Sequence, residues 1–532
     1  MMKRISILLV ALMAVLQAAA QNAEVFKPYT PTDLRLPSVP LIVNGPYFSV
    51  WSPYDELNQG DTRHWTNDEK PLEGLLRVDG KTYRFMGADD RSVLQAVVPM
   101  SDEEDWLGKY VRTNPDEGWT LPDFDDSAWQ EGRAAFGTPE NDNIRTRWTE
   151  EYSDIWVRRD ITLTDAQLAD DLFLVFSHDD ACEVFINGTQ VATGEMTLME
   201  GIRVRLDGDR KGLLKAGHNV IAMHCYNKTG GALVDFGLFK NMSKSSDNIL
   251  KARQKSVDVL ATNTYYTLTC GPVDLDLVFT APMLIDDLDL LSTPINYVSY
   301  QVRSNDGEEH DVQFYISASP KLAVANNNTL TRSAITNQNA EYNYLYTTST
   351  KTTPHETGSY DCIDWGRFYM PDFNGTLCLE NPQIIEQTFA TEGKLPESQK
   401  SVRATNISNA PELAYMHDFG KTTSAASFMM LGYDEVNDIV FLDQTYKGYW
   451  ARNGKTLLEA FQEMADNYDD IMTRCRQFDQ RIYDDALAVG NRNYAEVLAA
   501  SYRQTIAAHK LFEDKDGDLM FFSRENDSGG FI

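Results

Sequence analysis

The chain has 532 residues, 42% hydrophobic and 24% charged, a composition typical of a globular protein of roughly three or four domains. It carries 48 Lys and Arg against 79 Asp and Glu, so its formal net charge is −31. Charge of this sign and size argues against a nucleic-acid partner and against an anionic membrane surface.

The first twenty residues have the pattern of a secretory signal peptide. Lys3 and Arg4 form a short basic region, residues 5–16 form an apolar run too short to span a bilayer, and residues 18–20 supply a small-residue cleavage site. We expect cleavage after Ala20 and a periplasmic or secreted protein. No other stretch is long and apolar enough for membrane insertion.

The six cysteines are scattered and form no CxxC pair, so the sequence predicts no zinc or redox centre. Because an exported protein can form disulfides, Cys182–Cys225 and Cys362–Cys378 are the pairs to test. The alternative is six buried thiols that act as small hydrophobic side chains.

Strand patterns dominate residues 25–445. The run LLRVDGKTYRFMG has a hairpin signal at Asp79-Gly80, between alternating apolar positions. After a loop rich in Trp, Asp and Gly, four strand candidates are spaced as in a β-sandwich: DIWVRRDITL, DLFLVFSHD, ACEVFINGTQVATG and HNVIAMHCYN. Further strands follow, and the alternation from Val273 to Phe279 predicts a half-buried strand.

The period then changes to that of a helix. Over residues 455–485 apolar side chains recur every three or four positions, and a break at Gly490-Asn491 precedes a second helix over about 493–512. These would form an αα-hairpin. One face of such a pair is left without a neighbour, so we expect an exposed apolar face unless the helices pack back onto the sandwich.

Several stretches resemble the glutaminase A family. They include PSVPLIVNGPYFSVWSPYDELNQGDTRHW, TAPMLIDDLDLLSTPINYVSY, SYDCIDWGRFYM and SYRQTIAAHKLFEDKDGD, and together the resembling segments cover most of the chain outside the signal peptide and residues 100–245. The resemblance implies an N-terminal β region, a central β-sandwich and a helical toroid like that of six-hairpin glycosidases. The activity it implies is hydrolysis of the glutamine side-chain amide.

Members of that family continue past the segment equivalent to SRENDSGG through most of the toroid. The resemblance therefore implies a C-terminally truncated chain with only the first helical hairpin of an (α/α) toroid. On this basis, residues 21–532 alone are expected to be catalytically weak or inactive.

Residues 100–245 resemble a different module, the galactose-binding-like jelly roll of family 2 glycoside hydrolases. The resemblance lies in PDFDDSAWQEGRAAFG, IWVRRDI, FSHDDACEVFINGTQV and HNVIAMHCYN. Modules of this kind bind sugars in some proteins and only pack against other domains in others, and both possibilities stay open here.

The predicted fold is therefore mainly β and multi-domain, with β-sandwich and jelly-roll parts, followed by an α-helical hairpin that begins a toroid. The predicted boundaries are a signal peptide at 1–20, an N-terminal β region at 25–99, the jelly roll at 100–245, a central β-sandwich at 246–445 and the start of the toroid at 446–532.

The strongest site candidates lie at the end of the chain, in FFSRENDSGGFI. Glu525 could act as a general acid or base and Asn526 could orient a substrate amide, although a capped turn explains the same residues equally well. Asp364, in the DWG segment, is a further catalytic candidate that could face a cleft, as are His417 and Asp418. No cofactor is predicted.

Two other patterns favour structural interpretations. Asp514, Asp516, Asp518 and Glu525 have EF-hand spacing, but Leu519 stands where the loop needs Gly, so an Asp-Gly hairpin turn is favoured and no metal is predicted. A further residue, the histidine at position 64 in DTRHW, is more typical of a satisfied structural histidine than of a base. The chain has no G-x-S-x-G, H-E-x-x-H or P-loop motif.

The leading hypothesis is an exported glutaminase A-like hydrolase that acts on a small-molecule amide. A glycoside hydrolase-like or carbohydrate-binding protein, acting on glycans, is the first alternative. A non-catalytic truncated product is the second. A nucleic-acid partner is not expected.

Overall fold

The computed structural model describes residues 24–88, 94–139, 144–196, 198–210, 212–241, 249–324, 330–352, 362–404, 407 and 410–523. The predicted signal peptide lies outside these residues. Strands make up 45% and helices 17% of the residues that the structure describes, which confirms the mainly β, multi-domain fold. Contacts divide the chain into two compact units, one formed by residues 1–90 with 246–532 and one by residues 91–245.

The larger unit begins with four strands: β1 (Val39–Val43), β2 (Ser49–Ser52), β3 (Leu72–Val78) and β4 (Lys81–Met86). The smaller unit contains β5 (Leu94–Val98), β6 (Leu107–Val111), β7 (Gln130–Arg133), β8 (Phe136–Gly137), β9 (Thr146–Arg147), β10 (Ser153–Leu163), α1 (Asp165–Leu168), β11 (Leu172–Asp179), β12 (Ala181–Ile186), β13 (Thr189–Gly194), β14 (Met199–Arg205), β15 (Gly217–Asn227) and β16 (Leu233–Asn241).

The larger unit resumes with β17 (Ile249–Lys251), β18 (Arg253–Val259), β19 (Asn263–Cys270), β20 (Val273–Thr280), α2 (Leu288–Ser292), β21 (Ile295–Ser304), β22 (His310–Ala318), β23 (Thr331–Thr336), β24 (Tyr344–Ser349), β25 (Arg367–Pro371), β26 (Thr376–Glu380), α3 (Pro382–Glu392), β27 (Ser401–Ala404), β28 (Glu412–Thr422), β29 (Ser424–Asp434), β30 (Ile439–Phe441), β31 (Gln444–Tyr446), α4 (Leu457–Asp466), α5 (Tyr468–Val489), α6 (Arg492–Ala507), β32 (His509–Glu513) and β33 (Leu519–Ser523).

The larger unit is a β-sandwich. One sheet has the strand order β17-β4-β3-β22-β28-β26, and the other has the order β18-β19-β20-β21-β29-β25-β24-β23-β27. A single buried cluster contains apolar side chains of both sheets, among them Phe85 and Phe314 of the first sheet and Phe279 and Tyr300 of the second. The strands β3 and β4, which lie in the region predicted as N-terminal, belong to the first sheet and place β3 next to β22.

The strand β20 shows how the alternation in the sequence builds this core. Leu275 and Phe279 point into the sandwich cluster. Asp274 and Asp276, at intervening positions, accept hydrogen bonds from Lys255 and Arg303. Since all eight residues of β20 are buried, the strand is covered on both faces rather than half-buried as predicted.

The smaller unit contains two sheets, with strand orders β13-β12-β15-β10-β6-β7 and β14-β11-β16-β8-β9, and β5 also pairs with β16. Its core draws on both sheets, with Val157 and Met223 from the first and Leu174 and Phe236 from the second. A hairpin turn at Asn187-Gly188 joins β12 and β13, where both residues have positive φ.

The six cysteines are all free and buried. Cys182 and Cys225 face one another across β12 and β15 but are not bonded. The proposed Cys182–Cys225 and Cys362–Cys378 disulfides are therefore wrong for this structure, and the alternative of buried thiols holds.

Three helices occupy the region predicted to hold two. The first predicted helix, 455–485, is interrupted at Asn467, which leaves helical geometry with φ −105° and ψ 15° and donates its side-chain amide to the carbonyl of Glu463 at 2.7 Å. The helix predicted to reach residue 512 ends at Ala507, because the chain enters β32 at His509. Hydrophobic periodicity alone does not mark either break.

Helix α5 packs onto the outer face of the nine-stranded sheet through Cys475 and Phe478, which share a buried cluster with Ile295 of β21. The contact is fixed by Asp479, which is buried. Its carboxylate accepts hydrogen bonds from the backbone and hydroxyl of Thr262 at 2.7 and 2.8 Å. Burial raises the pKa of Asp479 to about 6.

Helix α6 is attached by a second buried group, the guanidinium of Arg503. It donates to the carbonyls of Leu260 at 2.9 Å, Ala261 at 3.3 Å and Pro40 at 3.3 Å, and to the hydroxyl of Thr264 at 2.8 Å. A buried charge is tolerated only with such partners. The helices therefore pack back onto the sandwich.

Some apolar surface nevertheless remains on these helices. The large hydrophobic residues still exposed within 455–512 are Leu487, Val489, Tyr494 and Val497. The expected exposed face is thus confined to the end of α5 and the start of α6. None of the helices in the described part of the chain is long and apolar enough to cross a bilayer.

The strands β32 and β33 form a hairpin whose turn contains Asp514, Asp516 and Asp518 of the EF-hand-like pattern, whereas Glu525 lies outside the described residues. Asp514 closes this turn, because its carboxylate accepts from the backbone amides of Asp516 and Asp518, both at 2.9 Å. Gly517 has φ +84°, a conformation that favours glycine. The favoured Asp-Gly hairpin turn is therefore confirmed.

Candidate functional site

The sequence-derived site candidates lie in different places. Glu525 and Asn526 lie outside the described residues, and β33 ends at Ser523. Asp364 is buried, and Lys351 donates to its carboxylate. Its backbone carbonyl accepts from the Ser349 hydroxyl at 2.7 Å. Asp364 lines neither of the two cavities described below.

Two other candidates, His417 and Asp418, lie on β28 in the six-stranded sheet. The His417 ring is hydrogen-bonded to the backbone carbonyl of Asn374. The Asp418 carboxylate accepts a hydrogen bond from the backbone amide of Gly420 at 2.9 Å. His64 is buried, with its Nδ1 2.8 Å from the Thr66 hydroxyl and its Nε2 3.0 Å from the Pro46 carbonyl. Burial and the charge of Lys70 lower the pKa of His64 to about 3, so it is a satisfied structural histidine.

A loop that the sequence analysis did not single out lies at the end of β29. Residues 434–438, Asp-Glu-Val-Asn-Asp, carry three carboxylates in five positions. Val436 has φ +64°, which is rare for a β-branched residue. The conformation is held by local bonds, because the Val436 amide donates to the Asp434 carboxylate at 2.8 Å and the Asn437 amide to the Glu435 carbonyl at 2.6 Å. Such strained residues cluster at functional sites.

Lys510 of β32 anchors this loop. Its ammonium donates to the carboxylate of Glu435 and lies 3.5 Å from Asp438, and all three side chains are buried. Burial opposes the charged form, but the carboxylates of Glu435 and Asp438 outweigh it and raise the pKa of Lys510. The side chain runs past Gly45, where an added Cβ would come within 2.7 Å of the Lys510 Cε.

Two further segments, residues 44–48 and residues 362–366, lie next to the 434–438 loop. The amide of Ile363 donates to the carbonyl of Tyr47 at 2.8 Å, and the rings of Tyr47 and Trp365 pack edge to face with centroids 5.1 Å apart. The hydroxyl of Tyr433, directly before the loop, donates to the carbonyl of Trp365 at 2.5 Å. Segments 44–48, 362–366 and 434–438, distant in sequence, are therefore adjacent.

A small cavity of about 90 Å³ lies against the loop, lined by Asp434, Asp438, Lys447 and Trp450 among others. Trp450 is only 5% exposed, and its indole N–H has no hydrogen-bond partner among the residues that the structure describes. A buried donor without a hydrogen-bond partner lowers the stability of the fold. Such a donor in a cavity wall can form its hydrogen bond with an oxygen atom of a ligand or of water.

A larger cavity of about 500 Å³ shares Asp434 and Thr456 with the small one. Its walls come from the edge strands of the nine-stranded sheet and from the start of α4. The lining residues are Arg332, Ala334, Ile335, Thr336, Gln338, Asn339, Tyr344, Tyr346, Arg367, Tyr369, Lys400, Ser401, Asp434, Thr456, Leu457 and Leu458. Its volume is in the range of small-molecule sites.

Asp434 is the titratable group common to both cavities. It lies directly opposite Arg367 in the pairing of β25 and β29. Burial, together with the nearby charge of Asp438, raises the pKa of Asp434, although the Val436 amide, Lys447 and Arg367 act in the other direction. A carboxyl with a raised pKa in a cavity wall has the property required of a general acid or base. Within the described residues, no group of three or more His, Cys, Asp or Glu side chains is placed to hold a metal ion.

Two family models match the chain, and both are described as domains of unknown function. One, DUF5127, matches residues 262–485, and the other, DUF4964, matches residues 11–99. The chain is also 25% identical over 296 residues to Glutaminase A from Aspergillus oryzae, a match that covers 53% of this chain and 42% of the relative. The chain is therefore similar in sequence to a glutaminase A. The resemblance predicted from the sequence is thereby confirmed.

The chain spans about two fifths of the length of that relative. Among solved structures, it is similar to a glycosyl hydrolase family 2 member from Bacteroides cellulosilyticus, with 10% identity and a TM-score of 0.22 over 52% of this chain and 33% of that one. It is also similar to Ruminococcus gnavus β-glucuronidase, with 11% identity and a TM-score of 0.22 over 54% and 46%. TM-scores this low carry no argument about fold or function.

The sequence contained one signal for the 434–438 loop. Three acidic residues within five positions directly follow the predicted strand ASFMMLGYD, and polar residues at a strand end are typical of sites. Nothing in the sequence connected this loop to Lys510, which lies 75 positions later.

Proposed function

We propose that this chain belongs to an exported hydrolase that cleaves a small-molecule amide, such as the side-chain amide of glutamine. The observation that carries the proposal is Asp434, a carboxyl of raised pKa in the wall of both cavities. The similarity to a protein named Glutaminase A supports the choice of amide. Export rests on the signal-peptide pattern of residues 1–20.

In this proposal Asp434 acts as the general acid or base. A carboxylate at this position accepts a proton from the attacking water, and the protonated form returns it to the departing ammonia. The ion pairs of Lys510 with Glu435 and Asp438 hold the loop that carries Asp434. The unpartnered indole N–H of Trp450 supplies a donor for a substrate oxygen.

The test is ammonia release from L-glutamine by the full chain, by Asp434→Asn and by the matched control Asp443→Asn, an exposed residue of the same unit. We expect slow release by the wild type and the control, and a rate at least about a hundredfold lower for Asp434→Asn, the usual size of an acid–base contribution. Absence of release from the wild type, or an equal rate for Asp434→Asn, would refute the proposal.

The sequence-derived candidates belong in the same assay. Glu525→Gln, Asn526→Ala and Asp364→Asn test the acid–base and orienting roles proposed from the sequence. Because Asp364 is paired with Lys351, its variant also requires an unfolding measurement to separate loss of activity from loss of fold.

Glycan hydrolysis is the second candidate, supported by the tyrosines in the larger cavity. Tyr344, Tyr346 and Tyr369 present aromatic surface of the kind on which sugar rings pack. The full chain should then release 4-nitrophenol from 4-nitrophenyl glycosides, with the same dependence on Asp434. Release from glycosides without release of ammonia from glutamine would replace the amide proposal by this one.

A further inference from the structure

The larger cavity contains an uneven distribution of charge. Its walls carry three cationic side chains, Arg332, Arg367 and Lys400, and one acidic side chain, Asp434. In the described part of the chain, none of the three cations forms an ion pair with a carboxylate within 4.0 Å. The whole chain has a net charge of −31, so three cations beside a single carboxylate form an unusual group for its surface.

The pairing of the strands places these cations on one face. Arg332 of β23 lies opposite Thr348 of β24, which lies opposite Arg367 of β25. The backbones of the two arginines are therefore two strand spacings apart, about 10 Å. Lys400 lies next to the end of β23, where its carbonyl accepts from the amide of Ile335 at 3.1 Å. Side chains of this length can meet around one ligand group.

The neighbouring row of the same face is aromatic. Tyr346 lies opposite Tyr369, and the rings of Tyr344, Tyr346 and Tyr369 have centroids 5.6 to 6.3 Å apart. Burial raises the pKa of Tyr369 to about 12, so this side chain is uncharged at neutral pH. The cavity thus has a cationic row beside an apolar, hydrogen-bonding row.

We infer that this cavity binds the carboxylate of a small-molecule ligand. The two arginines would hold the carboxylate through charge-assisted and bidentate hydrogen bonds, and the remainder of the ligand would pack on the tyrosines. Two sources share this chemistry, an amino acid and an acidic sugar. The inference rests on the proposed function in one respect, since it names the substrate class of that hydrolase.

The inference of a carboxylate site is tested by calorimetric titration of the full chain with L-glutamate, D-glucuronate and D-glucose. Glutamate and glucuronate carry the carboxylate, and glucose is the neutral counterpart of glucuronate. We expect at least one carboxylate to bind, with an affinity that falls as salt is raised, and no binding of glucose. Binding of glutamate alone identifies an amino-acid ligand, and binding of glucuronate alone identifies an acidic sugar. Binding of neither carboxylate, or equal binding of glucose, overturns the inference.

Variants locate the binding. Arg332→Gln and Arg367→Gln should each weaken carboxylate binding about tenfold or more, the usual effect of losing a hydrogen bond from a charged group. The matched control is Arg253→Gln, an exposed arginine on β18 at the opposite edge of the same sheet, which should leave binding unchanged. If all three variants weaken binding equally, the effect is one of net charge and the cavity is not the site.

The titration does not depend on turnover, so the two proposals can fail separately. Carboxylate binding without hydrolysis would leave the inference standing and refute the hydrolase. Hydrolysis of glutamine that persists in Arg332→Gln and Arg367→Gln, with no carboxylate binding, would refute the inference alone.

Discussion

The ammonium of Lys510 donates to the carboxylate of Glu435, 75 positions earlier, and both groups are buried. This ion pair connects the hairpin that follows the helices to the strained loop at the end of β29. The hairpin of β32 and β33 therefore adds a buried ion pair to the local hydrogen bonds that hold the loop containing Asp434.

Removing the lysine should destabilise the larger unit strongly. Lys510→Ala leaves the Glu435 carboxylate buried beside Asp438, a situation that costs about 3–5 kcal/mol of unfolding free energy. The control is Lys251→Ala, whose pair with Glu56 is 43% and 45% exposed and should contribute about 1 kcal/mol or less. Urea unfolding of both variants measures the difference. Equal losses would show that the buried pair is not the stronger contact.

Replacement of Gly366, which packs against the 434–438 loop, should destabilise the larger unit. It has φ +83°, and an added Cβ would lie 2.4 Å from the carbonyl oxygen of Asp434. The control, Gly307→Ala, has φ +91° and open space around it in the described structure, so it isolates the cost of the positive φ, about 1–2 kcal/mol. Gly366→Ala should lose clearly more than this in thermal or urea unfolding. If Gly366→Ala and Gly307→Ala lose the same stability, the 434–438 loop can shift away from the added Cβ without cost.

The cysteines should be unreactive until the protein unfolds. Burial raises the pKa of Cys182, Cys362 and Cys378 to about 12, which suppresses the reactive thiolate. A thiol reagent such as 5,5′-dithiobis(2-nitrobenzoate) should label none of the six in the native protein and all six in denaturant without reductant. A count of four or fewer in denaturant would indicate disulfides and contradict the structure.

Asp179 should make the smaller unit less stable at higher pH. Burial and the charges of Asp180 and Glu200 raise its pKa to about 7, whereas an unfolded aspartate has a pKa of about 3.9. Between these values the unfolded chain has released this proton and the folded chain has kept it, so stability falls as pH rises from about 4 to about 7.

Asp179→Asn removes that titration. The variant should therefore melt at a higher temperature than the wild type at pH 8, and the difference should shrink at pH 4.5. Asp209→Asn, an exposed aspartate of the same unit, is the control and should show no such pH-dependent gain. Differential scanning calorimetry at pH 8 and pH 4.5 measures the melting temperatures of both variants and the wild type. A gain for Asp179→Asn that is independent of pH would refute the electrostatic explanation.

The sequence predicted the strands well, because alternation of apolar residues reports directly on which side chains are buried. The strand β20 lies where the alternation from Val273 to Phe279 predicts a strand, although both of its faces are buried and not one. Helix boundaries were less predictable. The apolar spacing continues across Asn467, so only the local hydrogen bond to Glu463 reveals the break between α4 and α5.

The residues of the candidate site were predicted less well from the sequence than the fold was. Local sequence pattern favours Glu525 and Asn526, with Asp364 as a further candidate. The residues that line the cavity are instead brought together by strand pairing. Arg332 and Arg367 become neighbours on one face only because β23, β24 and β25 are adjacent in the sheet. A single sequence does not contain that register, since pairing between distant strands depends on the folded core.

The bonds of Arg503 have a consequence for the order in which the protein can fold. One of its acceptors is the carbonyl of Pro40, 463 positions earlier, and the others lie at least 239 positions earlier. During synthesis, this guanidinium can therefore reach β1 only after the 463 residues that follow Pro40 have been made. Because contacts between such remote residues require the closure of a long loop before they stabilise the fold, we expect the larger unit to fold slowly.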